Sequence, residues 1–99
     1  MKSHVKENIA KSILSNMIST KDLPNGEKEI VFSQFGWDMV KEFIGDIEAT
    51  DWRIDQDGIY WATCKLNNVV QSCSGRTLKE CISNIITFCD WVKRYGNNC

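Results

Sequence analysis

Apolar residues open the chain at every fourth position. Val5, Ile9, Ile13 and Met17 form a stripe that Ala10, Leu14 and Ile18 widen. That spacing predicts an amphipathic helix over Ser3 to Ile18, with Ser3 as N-cap. Leu23-Pro24-Asn25-Gly26 then reads as a turn, since Pro presets φ and Asn-Gly accepts positive φ. Lys28 to Phe32 is a short strand centred on Ile30, Val31 and Phe32. Ser33 can cap a second helix from Gln34 to Glu48, on which Phe35, Met39, Val40, Phe43, Ile44 and Ile47 keep the 3.6-residue period. Gly36 and Gly45 each weaken that helix by ~1 kcal/mol relative to Ala.

The pattern then shifts to short strands. Trp52 to Asp55 leads into a Gln56-Asp57-Gly58 turn, Ile59 to Leu66 is the clearest strand, and Val69 to Cys73 returns after Asn67-Asn68. Gly75 breaks the chain before a final helix that opens on the capping box Thr77-Leu78-Lys79-Glu80. Leu78, Cys81, Ile82, Ile85, Ile86, Cys89 and Val92 share one face of it. Lys93 and Arg94 suit its C-terminal dipole, and Gly96 can end it.

The predicted order is α-β-α-β-β-β-α. It describes one small α+β domain spanning residues 1–99, with an antiparallel three- to four-stranded sheet packed on helices. From Ser33 onward, helix, three strands and helix resemble the topology of double-stranded-RNA-binding domains, in element order alone. That resemblance implies a lysine cluster at the start of the last helix to grip phosphates. Here the stretch is Gly75-Arg76-Thr77-Leu78-Lys79-Glu80, two bases and one acid, so the family's binding residues do not carry over. Architecture alone does not assign function.

Composition changes this picture little. Charged residues make up 25% and apolar residues 42% of the 99, an ordinary globular balance. No apolar run approaches the ~20 residues of a membrane span, and the polar N-terminus does not read as a signal peptide. The expected location is the cytoplasm, or the host cytoplasm for a viral chain. The five cysteines (Cys64, Cys73, Cys81, Cys89 and Cys99) are odd in number and lack the close pairs of zinc sites. They are expected to be reduced thiols, and no metal or cofactor is expected.

Charge is more informative. Net charge is only −1, yet Asp38, Glu42, Asp46, Glu48, Asp51, Asp55 and Asp57 face only Lys41 and Arg53 within one stretch. Asp38, Glu42 and Asp46 would stack at i, i+4 and i+8 as one acidic stripe. In the sheet, period two puts Tyr60, Ala62, Cys64, Leu66, Val69 and Cys73 on one face, with Gln71 as the polar exception. Ile59, Trp61, Thr63, Lys65, Val70 and Ser72 take the other. Trp61 is then either a recognition residue or core beneath the first helix.

The sequence holds no recognisable motif of a nucleophile beside a base, no phosphate loop and no metal motif, and His4 is the only histidine. The expected function is therefore non-catalytic protein binding or inhibition. Asp38, Glu42, Asp46, Asp51, Asp55, Asp57 and Trp61 would engage a basic nucleic-acid-binding protein. Phage inhibitors of CRISPR or restriction enzymes are the analogous class of anti-defence protein. Direct nucleic-acid binding through Arg76, Lys79, Lys93 and Arg94 is a second reading, which the sequence pI of ≈ 5.8 disfavours. A homodimer joined through the Trp61 face or through Phe88, Trp91 and Tyr95 is a third. No membrane partner is expected.

Overall fold

The protein is described, as a computed structural model, over residues 17–95. The expected first helix lies outside the described residues except at its end, as do His4 and Cys99. At that end the expectation is corrected. Ile18 belongs to strand β1 (Ile18–Asp22), which pairs antiparallel with β2 (Lys28–Phe32). The Pro-Asn-Gly turn joins them: Leu23 N–H donates to Glu27 O at 2.9 Å, and Gly26 takes φ +86°. The β-branched Ile18 and Thr20 favour extension here, opposite Phe32 and Ile30.

Helix α1 (Gln34–Ile44) starts at Ser33, whose Oγ accepts from Gly36 N–H at 3.0 Å. Gly36 is there for space. A Cβ on it would stand 3.2 Å from the Cβ and the carbonyl O of Met17, where the chain enters β1. The helix stops four residues before the expected end. Gly45 adopts φ +63° and its N–H caps Lys41 O at 2.9 Å, so Asp46 falls in the turn beyond it. Glu48 then opens β3 (Glu48–Ile54), followed by β4 (Tyr60–Leu66), β5 (Val69–Gly75) and helix α2 (Leu78–Tyr95).

The sheet has five strands in chain order, β1-β2-β3-β4-β5, with every neighbouring pair antiparallel, which is one more strand than the upper expectation. The α+β class and the α1-β3-β4-β5-α2 order hold. A β-bulge interrupts β3 between Thr50 and Arg53, with Asp51 at φ +56°. It turns both Ala49 and Trp52 into the core. Asn67 and Asn68, at φ +53° and +70°, form the two-residue turn between β4 and β5.

The core lies between one sheet face and the two helices. Ala62, Cys64 and Leu66 of β4 meet Ile82, Ile85 and Val92 of α2 and Val40 and Ile44 of α1. Phe88 joins them at 3% exposure, which removes it from the outer aromatic group; Trp91 and Tyr95 remain about half exposed. The Thr77 cap forms as expected, with Glu80 N–H donating to Thr77 Oγ1, while Glu80 Oε1 reaches back to the N–H of Arg76, one residue before the cap, both at 3.1 Å. Cys64, Cys73 and Cys81 are buried free thiols. A hydrogen bond to Cys73 and burial push the Cys64 thiol up, and burial beside Cys73 pushes Cys81 up to about 12. These thiols pack as small apolar groups.

Candidate functional site

The acidic residues come from one stretch of chain, but β3 divides them. Six residue steps of extended strand separate Glu48 from Ile54, a distance of ~20 Å. One group therefore sits where α1 meets β3, and the other at the β3–β4 hairpin.

The hairpin group is occupied internally. Asp55 Oδ1 accepts from the N–H of Asp57 at 2.8 Å and of Ile59 at 2.9 Å, and its Oδ2 accepts from Trp61 Nε1 at 2.8 Å. The Trp61 indole first, then the Ile59 and Asp57 amides and nearby Arg53, hold the Asp55 carboxyl below the usual carboxylate range. Arg53 ties the group together. Its guanidinium reaches Asp51 at 2.6 Å and Glu27 at 3.5 Å, and lies 5.9 Å from the centre of the Trp61 ring. Trp61 is thus half-buried on the outer sheet face, fixed by its own neighbours. Asp57 is at the exposed hairpin tip.

The Asp55 contacts predict a pH effect. The folded pKa is depressed, so this contribution to stability is present above the unfolded pKa of ~3.9 and is lost as pH falls through the lower folded value. In Asp55→Asn the side-chain oxygen can still face the two amides, but the NH₂ then meets the Trp61 N–H donor to donor. The variant should be less stable than the wild type at pH 7, and the gap should narrow below pH ~3. Urea melts at both pH values check this; a gap independent of pH contradicts the assignment.

The group near α1 differs. Asp38 and Glu42 are exposed one helical turn apart, and Asp46 and Glu48 are exposed just beyond the helix. Among the described residues Asp38 accepts only from the neutral Gln34 amide, at 3.1 Å. No ion pair to any of these four acids is found among the described residues. Between α1 and β3 lies a cleft of about 370 Å³, with Trp37, Ile44, Ile47 and Ala49 in its lining and Asp46, Glu48 and Lys41 on its rim. A second hollow of about 390 Å³, beside the Asn67-Asn68 turn, shares Asp46 and Glu48 with Lys65. Sequence reasoning gave Glu48 to the helix and did not single it out. It also missed the cleft, which exists because Gly45 ends α1 early.

Among the described residues no group of three or more His, Cys, Asp or Glu is placed to hold a metal ion, and no helix is long and apolar enough to cross a membrane. At the start of α2, Glu80 Oε1 accepts from the Arg76 N–H, which sets an acid in the stretch where the double-stranded-RNA-binding topology would place phosphate contacts. No family model, no curated protein and no solved structure matches the chain.

Proposed function

We propose that this is a non-catalytic binding domain that docks its α1–β3 end against a basic surface of a partner protein, of the kind that grips nucleic acid, and occludes it. The observation that carries the reading is the cleft between α1 and β3, apolar inside, with Asp46 and Glu48 against the single base Lys41 on its rim. A Lys or Arg of the partner has matching chemistry: an aliphatic stem to lie on Trp37 and Ile47, and a charged head for the carboxylates. Asp38 and Glu42 extend the negative field along α1, which favours encounter with a cationic surface. Asp51 and Asp55 drop out of the contact because they are committed to Arg53, Trp61 and backbone amides, and Asp57 because it lies at the far end of β3 from the cleft.

Capture on the immobilised protein from nuclease-treated lysate of its native cells tests the reading. A basic nucleic-acid-binding protein should be retained, and released as salt rises from about 50 to 500 mM. Retention only in lysate that has kept its nucleic acid would instead favour direct nucleic-acid binding.

A further inference from the structure

We propose that two copies of the chain associate through the free edge of β5, forming a two-fold dimer with a continuous ten-stranded sheet. β5 is an end strand of the sheet, and no described strand covers its outer side. The two-residue turn makes Leu66–Val69 a hydrogen-bonded pair, so alternation turns the N–H and C=O of Val70, Ser72 and Ser74 outward. Asn84 Nδ2 donates to Ser74 O at 2.6 Å, which confirms that this carbonyl faces the edge and occupies one of its two lone pairs. Among the described residues, no hydrogen bond is made to the remaining outward groups.

Exposed edges are usually protected by charge or proline. The opposite edge strand β1 carries Lys21 and Asp22, but β5, Val-Val-Gln-Ser-Cys-Ser-Gly, has neither charge nor proline. Beside it a groove of about 420 Å³ runs between β5 and α2, and all its lining residues are uncharged, among them Gln71, Thr87, Phe88 and Trp91. Trp91 is 50% exposed and packs on Tyr95 at 6.0 Å between ring centres. A neutral edge beside an aromatic groove matches no charged partner; it matches itself. Centred on Ser72, an antiparallel pairing sets Ser72 against Ser72 and Val70 against Ser74, each bringing outward backbone groups face to face. The two α2 helices then approach across the axis and cover Trp91 and Tyr95.

The contact is one strand long and one sheet plus one helix deep, on the order of 500 Å² per copy. That is below the ~800 Å² per partner of a standard interface, so association in the micromolar range is expected. Sedimentation equilibrium of the full chain from about 5 to 500 µM is the test. The wild type should pass from monomer to dimer across this range. Ser72→Lys sets two like charges directly opposite at the axis and should raise the dissociation constant at least tenfold. Trp91→Glu, on the other element of the contact, should do the same, while Ser19→Lys on the β1 edge should not. A wild type monomeric throughout, or a dimer indifferent to both Ser72→Lys and Trp91→Glu, overturns the proposal.

Discussion

Replacing Trp52 with alanine is expected to remove about 3–5 kcal/mol of stability. That is a large share of the ~5–15 kcal/mol available to a domain of this size. Trp52 is 6% exposed and meets Phe32 edge-on at 5.1 Å and Trp37 at 6.3 Å between ring centres. Its Nε1 donates to Ala49 O at 3.2 Å, across the bulge that turned the side chain inward. The three rings come from β2, α1 and β3, so this cluster fastens the N-terminal hairpin and the first helix to the rest of the sheet. Alanine leaves a cavity bounded by three elements that cannot all close on it. Trp52→Phe keeps a ring against both neighbours but gives up the hydrogen bond, for a loss of ~1–2 kcal/mol. Urea unfolding followed by far-UV circular dichroism separates the two. Equal losses would mean that ring packing contributes little.

Gly75→Ala is expected to cost about 3 kcal/mol for the addition of one methyl group. The new Cβ would stand 2.4 Å from Cys81 N and 2.7 Å from Glu80 C, and these are backbone atoms of the first turn of α2. Neither can rotate away, so α2 must move off β5, loosening Cys81 and Ile82, both fully buried. Gly45 offers a contrast. It needs glycine for its φ of +63°, but nothing lies within 4 Å of a Cβ there. Gly45→Ala should cost only ~1 kcal/mol. The two variants therefore separate a steric requirement from a conformational one, and the same urea melts compare them. If Gly45→Ala proves the costlier, the close β5–α2 approach is not what holds the helix.

Much of this fold was legible in the pattern. The capping box, the stripe from Leu78 to Val92 and the Asn67-Asn68 turn are each local signals, and the final helix and the β4–β5 hairpin formed on them. The inward face of β4 also followed from its alternation. Where the reading departed, the cause is physical. β1 buries little more than Ile18, so it shows no alternation, and Ile18 also continued the spacing of the preceding apolar stripe. Ile47 fits the period of α1 and is buried, but by the turn after Gly45 and not by the helix. The bulge in β3 puts Ala49 and Trp52 on one face three residues apart, a spacing that hides a strand from period-two reading. Phe88 lies three residues after Ile85 and four before Val92, and so belongs on the core stripe rather than with Trp91.

The candidate site was less legible because neighbours in sequence need not be neighbours in space. The acids from Asp38 to Asp57 formed one run in the chain, yet β3 sets Glu48 at one end and leads to Asp55 and Asp57 at the other, with Asp51 at the bulge between. Partnership could not be read from sequence at all. Nothing in the spacing said that Asp55 would be used by Trp61 and two amides, or that Glu42, Asp46 and Glu48 would have no cation paired with them among the described residues.

Docking by the α1–β3 end can be tested on the captured partner because the two acidic groups are separate. The measurement is its affinity for the triple variant Asp38→Lys, Glu42→Lys, Asp46→Lys against that for Asp57→Lys at the hairpin tip. All four positions are exposed, so both variants should keep wild-type melting behaviour to within about 1 kcal/mol. At least a tenfold weaker complex is expected for the triple variant and little change for Asp57→Lys. Full binding by the folded triple variant would contradict docking by the α1–β3 end.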